Sequence, residues 1–190
     1  AASDVYKRQV LNCIGLENPG AEHFVTDILP DLKKYDVPLL ANMSAGTVEE
    51  FAWMAETLSV DGIAGLEVNV SCPNVACEGM AFGIDPKVVE QVTKAVRKVT
   101  DKPVIVKLSP NVTDIVEIAK AVEAGGGDGV SLINTILGMA IDIHRRKPVL
   151  GNIYGGLSGP AVKPVALRMV HQVYKAVSYT HLTLPTICSV

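Results

Sequence analysis

Residues 104–133 read VIVKLSPNVTDIVEIAKAVEAGGGDGVSLI, and this stretch decides the fold. It begins with the apolar run 104–108 and ends with a second apolar run, 129–133. Between the runs, Thr113 and Asp114 are residue types that cap helices, and apolar residues recur at helical spacing up to about residue 124. The stretch therefore predicts a strand–helix–strand unit with its two strands parallel.

The same alternation of strand and helix occurs on both sides of this stretch. Thr47 and Glu50 match a capping box, Asp85 precedes Pro86 at a first helical position, and a further helix is predicted after Pro164. Each apolar run has few polar residues, as is typical of a strand that is covered on both faces. The predicted strands are residues 37–42, 65–70, 104–108 and 129–133.

Consecutive βα units predict an α/β fold with a parallel sheet, either open and doubly wound or closed as a barrel. No GxGxxG turn follows a strand, which argues against an open, doubly wound sheet that binds a dinucleotide. In either architecture the binding face lies at the C-terminal ends of the strands. A (β/α)₈ barrel takes about 250 residues, so the chain is expected to supply only part of one.

Composition restricts the class of partner. The chain has 190 residues, with 17 Lys and Arg, 20 Asp and Glu, a net charge of -3 and 48% hydrophobic residues. This balance predicts a globular protein, neither disordered nor membrane-spanning. No basic cluster suggests nucleic-acid binding, so a small molecule or another protein is the expected partner.

Both ends of the chain resemble translated sequencing-adapter DNA. Residues 1–9, AASDVYKRQ, can be encoded by such an adapter, and VSYTHLTL at 177–184 can be encoded by the reverse complement of the same DNA. We therefore expect residues 1–9 and 177–190 to be non-native and residues 10–176 to be an internal fragment of a longer protein.

Cysteine usage within 10–176 favours a reducing, cytoplasmic location. Cys13, Cys72 and Cys77 are an odd number of cysteines, and their spacing suits neither a disulfide framework nor a zinc site. His23 and His171 are predicted on helices, and His144 in an exposed loop, all three without a metal role. No metal site is predicted.

The clearest chemical motif is GLEVNVSCPNV at 65–75, in which a strand ends at Asn69 and Cys72 follows in a proline-containing loop. A thiol there can act as a base if its pKa falls toward working pH, or if a closing lid holds it against an acidic C–H. The alternative is a small buried cysteine with no chemical role. Cys77 is interpreted as an ordinary loop residue.

Lys107 is the charged residue near the C-terminal end of the predicted strand 104–108. An ammonium group at the end of an apolar strand needs an anion or an electron-rich partner, because an unpaired buried charge is costly. The sequence leaves two equal alternatives, an ion pair with a neighbouring carboxylate or a contact with a cofactor.

Two weaker motifs follow, and both also occur in ordinary turns. Asn134 and Thr135 lie at a strand end, where amides and hydroxyls can bind the edge of a flat heterocycle. Residues 154–161, YGGLSGPA, are predicted to be a glycine-rich loop before a helix, with backbone N–H groups suited to an anion or a ring. Phe51 and Trp53 are predicted to be core residues of the first complete helix.

Taken together, the motifs resemble the class 1 dihydroorotate dehydrogenases, in order and at the spacing of that family. Residues 141–164 resemble the NAD-linked type, whose catalytic subunit pairs with an iron–sulfur and flavin subunit, more than the homodimeric fumarate-using type. The motifs are LNCIGLENPG (11–20), LLANMSAG (39–46), NVSCPNV (69–75), GMAFGIDP (79–86), VKLSPNVTDI (106–115), GVSLINT (129–135) and GNIYGGLSGPAVKP (151–164).

The resemblance implies a (β/α)₈ TIM barrel that holds FMN and oxidises (S)-dihydroorotate to orotate in pyrimidine biosynthesis, here without its first and last strands. It implies that Cys72 is the base that takes the proton from C5 while C6 gives hydride to the flavin. Lys107 would lie near the N1/O2 edge of the flavin. The implied cofactor-binding residues are Asn42, Asn69, Lys107, Ile133 and Gly159, and the implied substrate-binding residues are Asn12, Cys13, Ile14, Gly15, Leu16, Asn69, Asn134 and Thr135.

The resemblance also implies an active loop at about 74–83 and a homodimer of the catalytic subunit. The electron-transfer partner would carry FAD and an iron–sulfur cluster. Because the FMN phosphate site is expected after residue 176, the gene product is expected to be the enzyme and the 190-residue chain itself inactive. The alternatives are the FMN domain of a dihydropyrimidine dehydrogenase and a non-catalytic barrel module.

Overall fold

A four-stranded parallel sheet forms the centre of the protein, in a computed structural model that describes residues 8–71 and 82–179. The strand order is β2-β3-β4-β5, and every neighbouring pair is parallel. The four predicted strands are confirmed to within three residues at each end. Their bounds are Leu40–Met43 (β2), Gly65–Asn69 (β3), Val104–Lys107 (β4) and Gly129–Ser131 (β5).

Helices follow the strands in the order that the sequence predicts. The first helix, α1, joins Ala21–His23, a π-helical segment Phe24–Ile28 and Leu29–Leu32. A 3₁₀ turn at Pro160–Val162 leads into the last helix, which confirms the helix predicted near Pro164. The remaining bounds are Val48–Leu58 (α2), Pro86–Val99 (α3), Ile115–Ala124 (α4) and Lys163–Tyr174 (α5).

Side-chain caps start three of these helices. Thr47 Oγ1 accepts the Glu50 N–H of α2 at 3.1 Å, and the Glu50 carboxylate accepts the Gly46 N–H at 2.8 Å. The predicted capping box is therefore present, with its return bond one residue earlier than the usual N-cap N–H. Asp85 and Asp114 cap α3 and α4 by accepting the N–H groups of Lys87 and Val116, two residues further along the chain.

The helices cover one face of the sheet only. Because side chains alternate along a strand, Met43, Leu66, Val68 and Val106 share one face, where each is 0–1% exposed. Helix α2 packs against β2 and β3, α3 against β4, and α4 against β5. The expectation of strands covered on both faces is met in β3, where Gly65 and Asn69 on the second face are buried, and is wrong for β2. Leu40, on the other face, is 56% exposed, and that face carries the polar residues described below.

Helix α2 carries both aromatic residues that the sequence predicts to be in the core, and it buries only one of them. Phe51 is 1% exposed and packs edge-on against Phe82, with ring centroids 5.7 Å apart at 74°. Trp53 is 48% exposed, so its predicted place in the core is wrong. Two residues advance a helix by roughly 200°, which turns Trp53 away from the face that Phe51, Ala55 and Leu58 bury.

A second, antiparallel sheet lies outside the βα pattern, in the order β1-β9-β6. Its strands are Val10–Asn12 (β1), Ile136–Met139 (β6) and Tyr154–Ser158 (β9), and Ile141–Asp142 (β7) pairs with Lys147–Pro148 (β8) beside it. The predicted glycine-rich loop is therefore wrong over residues 154–158. The central strand needs glycine because a Cβ on Gly155 would overlap the Asn12 carbonyl oxygen, and one on Gly156 would overlap Thr135.

The three histidines lie in the helices and the loop that the sequence predicts for them. His23 lies in α1, His171 in α5 and His144 in a turn, and all three are exposed.

Across residues 8–71 and 82–179, no helix combines the length and apolar character needed to cross a membrane.

Tyr179 provides a test of the contacts at the end of the described chain. Its hydroxyl donates to the Gly127 carbonyl at 3.0 Å, and burial, followed by the charges of Glu123 and Asp128, raises its pKa from 10.0 to about 12. A raised pKa in the folded state means that the neutral phenol stabilises the fold below pH 10.0, and that this contribution disappears as the pH rises through about 12.

We therefore expect the free energy of unfolding of the chain to fall between about pH 10 and about pH 12, and to fall less in Tyr179→Phe. Urea unfolding followed by circular dichroism at several pH values measures this difference. Parallel pH curves for the two proteins would contradict the packing of Tyr179.

Candidate functional site

A row of polar side chains crosses the face of the parallel sheet that the helices leave uncovered. The strand register pairs Asn42 with Glu67 and Lys107 with Ser131, so one polar residue from each of β2, β3, β4 and β5 lies on this face. The row sits near the C-terminal ends of the strands, where parallel α/β sheets bind their ligands.

Glu67 joins the members of this row. Its Oε1 accepts a hydrogen bond from Ser131 Oγ at 2.7 Å, its Oε2 accepts one from Asn42 Nδ2, and Lys107 Nζ lies 3.8 Å from Oε2. One carboxylate therefore connects all four strands of the sheet. We name Asn42, Glu67, Lys107 and Ser131 the polar row.

Lys107 has the ion pair that the sequence offered as one of two alternatives. The side chains of Lys107 and Glu67 are 31% and 25% exposed, so the pair is partly desolvated. The separation of 3.8 Å is that of an ion pair and too long for a hydrogen bond. Within residues 8–71 and 82–179 the ammonium group has no hydrogen-bond acceptor, so its N–H donors are available to a further partner and the ion pair is compatible with a cofactor contact.

Asn69 and Asn134, two predicted site residues, are linked through Ser71. Asn69 is 6% exposed, and its Oδ1 accepts both the N–H and the hydroxyl of Ser71, at 3.1 and 2.6 Å. Asn134 Nδ2 donates to Ser71 Oγ at 2.7 Å. The ends of β3 and β5 are therefore joined by side chains, and the chain leaves β3 from a fixed point.

Asn111 holds the segment that carries Thr135. Its Nδ2 donates to the Thr135 carbonyl at 3.1 Å, and its Oδ1 accepts the Leu137 N–H at 2.9 Å. The loop after β4 is thus bound to the start of β6. Thr135 adds a bond from its own N–H to Asn134 Oδ1 at 2.9 Å, which orders this pair of predicted site residues.

The antiparallel sheet brings the N-terminal predicted residues toward the same region. Asn12 on β1 pairs with Gly156 on β9, and Thr135 lies against Gly156 on its other side. Cys13 is half-buried, whereas Ile14 is 86% and Leu16 47% exposed, with Gly15 between them at φ +91°. The structure thus brings Asn12 near Thr135 and leaves residues 14–16 exposed.

Gly159 and Ile133 are half-buried at the ends of β9 and β5. Next to Gly159, Ser158 is 6% exposed, and its buried hydroxyl lacks a hydrogen-bond partner within the described parts of the chain. Buried hydroxyls are almost always bonded, so an orphan beside a predicted cofactor-binding glycine is compatible with a bound ligand.

Cys72, the predicted base, lies outside the described residues, as does most of the predicted active loop at 74–83. Among the described residues, the sequence prediction missed Glu67. The available signal was a lone charge in the run GLEVNV, two residues before Asn69 and therefore on the same face of the strand.

In the part of the site that the structure describes, the Lys107 ammonium lies with several amides and hydroxyls at the C-terminal ends of parallel strands. Amide groups both donate and accept, which suits the alternating edge of a flat heterocycle, and the ammonium suits an anionic or electron-rich edge. The fold and site are those of an α/β protein whose strand ends offer donors and acceptors that suit a planar, polar ligand.

Comparison with known proteins identifies the family. The dihydroorotate dehydrogenase family model matches residues 3–187, and the chain belongs to this family. The alternating strands and helices agree with part of the TIM barrel of the family.

Several relatives share the same description, "Dihydroorotate dehydrogenase B (NAD(+)), catalytic subunit". The protein of Desulforamulus reducens is 60% identical over 169 residues, that of Alkaliphilus oremlandii 58% over 168, and that of Alkaliphilus metalliredigens 56% over 168. Each match covers 88% of this chain and 56% of the relative. The chain thus spans about half the length of the curated relatives it matches.

Proposed function

We propose that this chain is part of the catalytic subunit of an NAD-linked dihydroorotate dehydrogenase, which oxidises (S)-dihydroorotate to orotate in pyrimidine biosynthesis. The observation that carries the proposal is the 56–60% identity, over 88% of the chain, to relatives described as that subunit. The polar row supports it, because it supplies the donors and acceptors that a pyrimidine ring and a flavin require.

The residues of the site fit FMN as the cofactor. FMN, when bound, accepts the hydride that leaves C6 of dihydroorotate. Lys107 would donate to the electron-rich N1/O2 edge of the flavin, and this role is supported by N–H donors that make no hydrogen bond to the described residues. Asn42 and Asn69 would bind the ring edge, and Gly159 and Ile133 would contact the flavin. Beside Gly159, the Ser158 hydroxyl has no partner among the described residues and could make a polar contact with the cofactor.

The substrate would bind to amides from three parts of the chain. Asn69, Asn134 and Thr135 would bind the ring and carboxylate of dihydroorotate, and the Ser71 link that joins the two asparagines supports a shared role. Asn12, Cys13, Ile14, Gly15 and Leu16 would complete the pocket from the other side. Cys72 would remove the proton from C5, and the loop at 74–83 would close over the substrate and exclude water.

The partner would be a separate electron-transfer subunit that carries FAD and an iron–sulfur cluster and passes electrons to NAD. The description of the relatives as a catalytic subunit supports this partner. We also propose a homodimer of the catalytic subunit and a cytoplasmic location.

We further propose that residues 10–176 are the native part of a longer barrel, flanked by adapter-derived residues 1–9 and 177–190. The matches of 168 or 169 residues to the relatives support this length, whereas the family model matches the longer range 3–187. The 190-residue chain would then be inactive, because it lacks the expected phosphate site. The strands β2 and β5 would also be unpaired edges, as they are in the described sheet.

The experiment compares the 190-residue chain with the complete gene product. The complete protein is expected to be yellow, to be bleached by (S)-dihydroorotate without oxygen, and to release orotate. Dihydrouracil, which lacks the carboxylate, is the matched control and should not bleach it. A colourless complete protein would favour the non-catalytic module, and bleaching by dihydrouracil would favour the dihydropyrimidine enzyme. Stoichiometric FMN with turnover in the 190-residue chain would refute its proposed inactivity.

A further inference from the structure

Glu67 is the only carboxylate in the strands β2, β3, β4 and β5. It lies on the central part of the face that would bind the ligand, and its own side chain is 25% exposed. A partly desolvated carboxylate is tolerated only when its oxygens are compensated. Asn42, Lys107 and Ser131 provide that compensation from three different strands.

The same contacts also fix the three partners. Lysine has a long, flexible side chain, and its ammonium can be held at one point only by an anchoring charge or acceptor. Among the described residues, Glu67 is the only carboxylate in ion-pair contact with Lys107. Asn42 must present its amide NH₂ to Glu67, which leaves its carbonyl oxygen for another partner.

We propose that Glu67 is a positioning residue of the flavin site. Its carboxylate holds the Lys107 ammonium, the Asn42 amide and the Ser131 hydroxyl in place, and its negative charge offsets part of the positive charge that Lys107 presents to the flavin. This inference rests on the proposed function, because it requires FMN at the polar row.

The charge and the position of Glu67 can be separated by two substitutions. Glu67→Gln retains the length of the side chain and removes the charge, whereas Glu67→Asp retains the charge and shortens the side chain by one methylene. Removing the negative charge leaves Lys107 uncompensated, and an uncompensated cation favours the electron-rich, two-electron-reduced flavin. Shortening the side chain withdraws the carboxylate from Lys107 and Ser131, which loosens the site.

The measurement is the midpoint potential of bound FMN in the complete gene product, together with the dissociation constant of FMN. In Glu67→Gln we expect the reduced form to gain at least tenfold over the oxidised form, which is a rise of about 30 mV for a two-electron couple. In Glu67→Asp we expect weaker FMN binding, by about fivefold or more, with a smaller change in potential than in Glu67→Gln.

Glu56→Gln is the matched control, because it makes the same change in net charge at an exposed position on α2. It is expected to leave both quantities unchanged. A potential in Glu67→Gln that equals that of Glu56→Gln would overturn the charge role, and wild-type FMN affinity in Glu67→Asp would overturn the positioning role.

Failure of the proposed function would have a different signature. A wild-type complete protein that does not bind FMN would refute the function before either variant is made. If Glu67→Gln does not fold, the FMN affinity of Glu67→Asp decides the inference, with Glu56→Gln again as the reference.

Discussion

Replacing Cys72 by alanine in the complete gene product is expected to lower kcat for dihydroorotate oxidation by about 10²–10⁴-fold, which is the usual contribution of a positioned general base. In the proposed reaction a proton leaves C5 and hydride leaves C6, and without the proposed Cys72 base only water or a solvent base could take that proton. FMN binding should be unaffected, because the polar row that would hold the ring lies on β2 to β5.

The described residues support this assignment at the point where the chain leaves β3. Ser71 directly precedes Cys72, and it is fixed by bonds with Asn69 and Asn134, both predicted substrate-binding residues. The position from which the thiol-bearing segment starts is therefore defined relative to the proposed substrate site. A general base must be held in position, since a small displacement of a reacting group lowers the reaction rate strongly.

The pH dependence gives a second readout of the same substitution. A cysteine acts as a base only as the thiolate, so the wild-type rate should rise with pH as the thiolate forms. In Cys72→Ala this rise should be lost. Cys77→Ala is the matched control, a cysteine in the same stretch of sequence for which no chemical role is proposed, and it should keep most of the activity. Unchanged turnover and an unchanged pH profile in Cys72→Ala would exclude the cysteine base.

The parallel sheet was predictable because its signals are local. Residues 104–133 contain two strands, an N-cap and a helix within one stretch, and the structure reproduces them as β4, α4 and β5. The capping residues Thr47, Asp85 and Asp114 begin their helices as the sequence predicts. Caps and apolar periodicity depend on neighbours a few residues away, so they can be read without tertiary structure.

The antiparallel sheet was not predictable in the same way. Its central strand, β9, contains Gly155 and Gly156, residues that disfavour strands on propensity alone. It forms because β1, more than a hundred residues earlier in the chain, and β6 pair with it on both sides. Long-range pairing of this kind overrides local preference, and the glycines then become necessary because Asn12 and Thr135 approach so closely.

The candidate site was predictable in its residue types and not in its connections. The strand ends predict Lys107 and Asn134, the family resemblance implies Asn42, and all three lie on or beside the uncovered face of the sheet. Glu67 was passed over because it lies within an apolar run, where only the strand register reveals its neighbours. Which face of the sheet the helices cover is a tertiary property, and it decides whether such a glutamate meets solvent, a core or a ligand.

Replacing Phe51 by alanine is expected to destabilise the fold by about 3–5 kcal/mol, the usual cost of removing a buried phenylalanine. Phe51 is 1% exposed, and its ring packs edge-on against Phe82 at 5.7 Å. Truncation therefore removes the buried area of Phe51 and leaves Phe82 without its aromatic partner. A loss of this size is a large part of the stability of a typical domain, about 5–15 kcal/mol.

Trp53→Ala on the same helix is the matched control. Trp53 is 48% exposed, and alanine has the higher helix propensity, so we expect a change of about 1 kcal/mol or less. Urea unfolding of the chain followed by far-UV circular dichroism measures both variants without relying on the fluorescence of the single tryptophan. Because the two aromatic residues are two positions apart on one helix, similar destabilisation in both variants would contradict the orientation of α2 against the sheet.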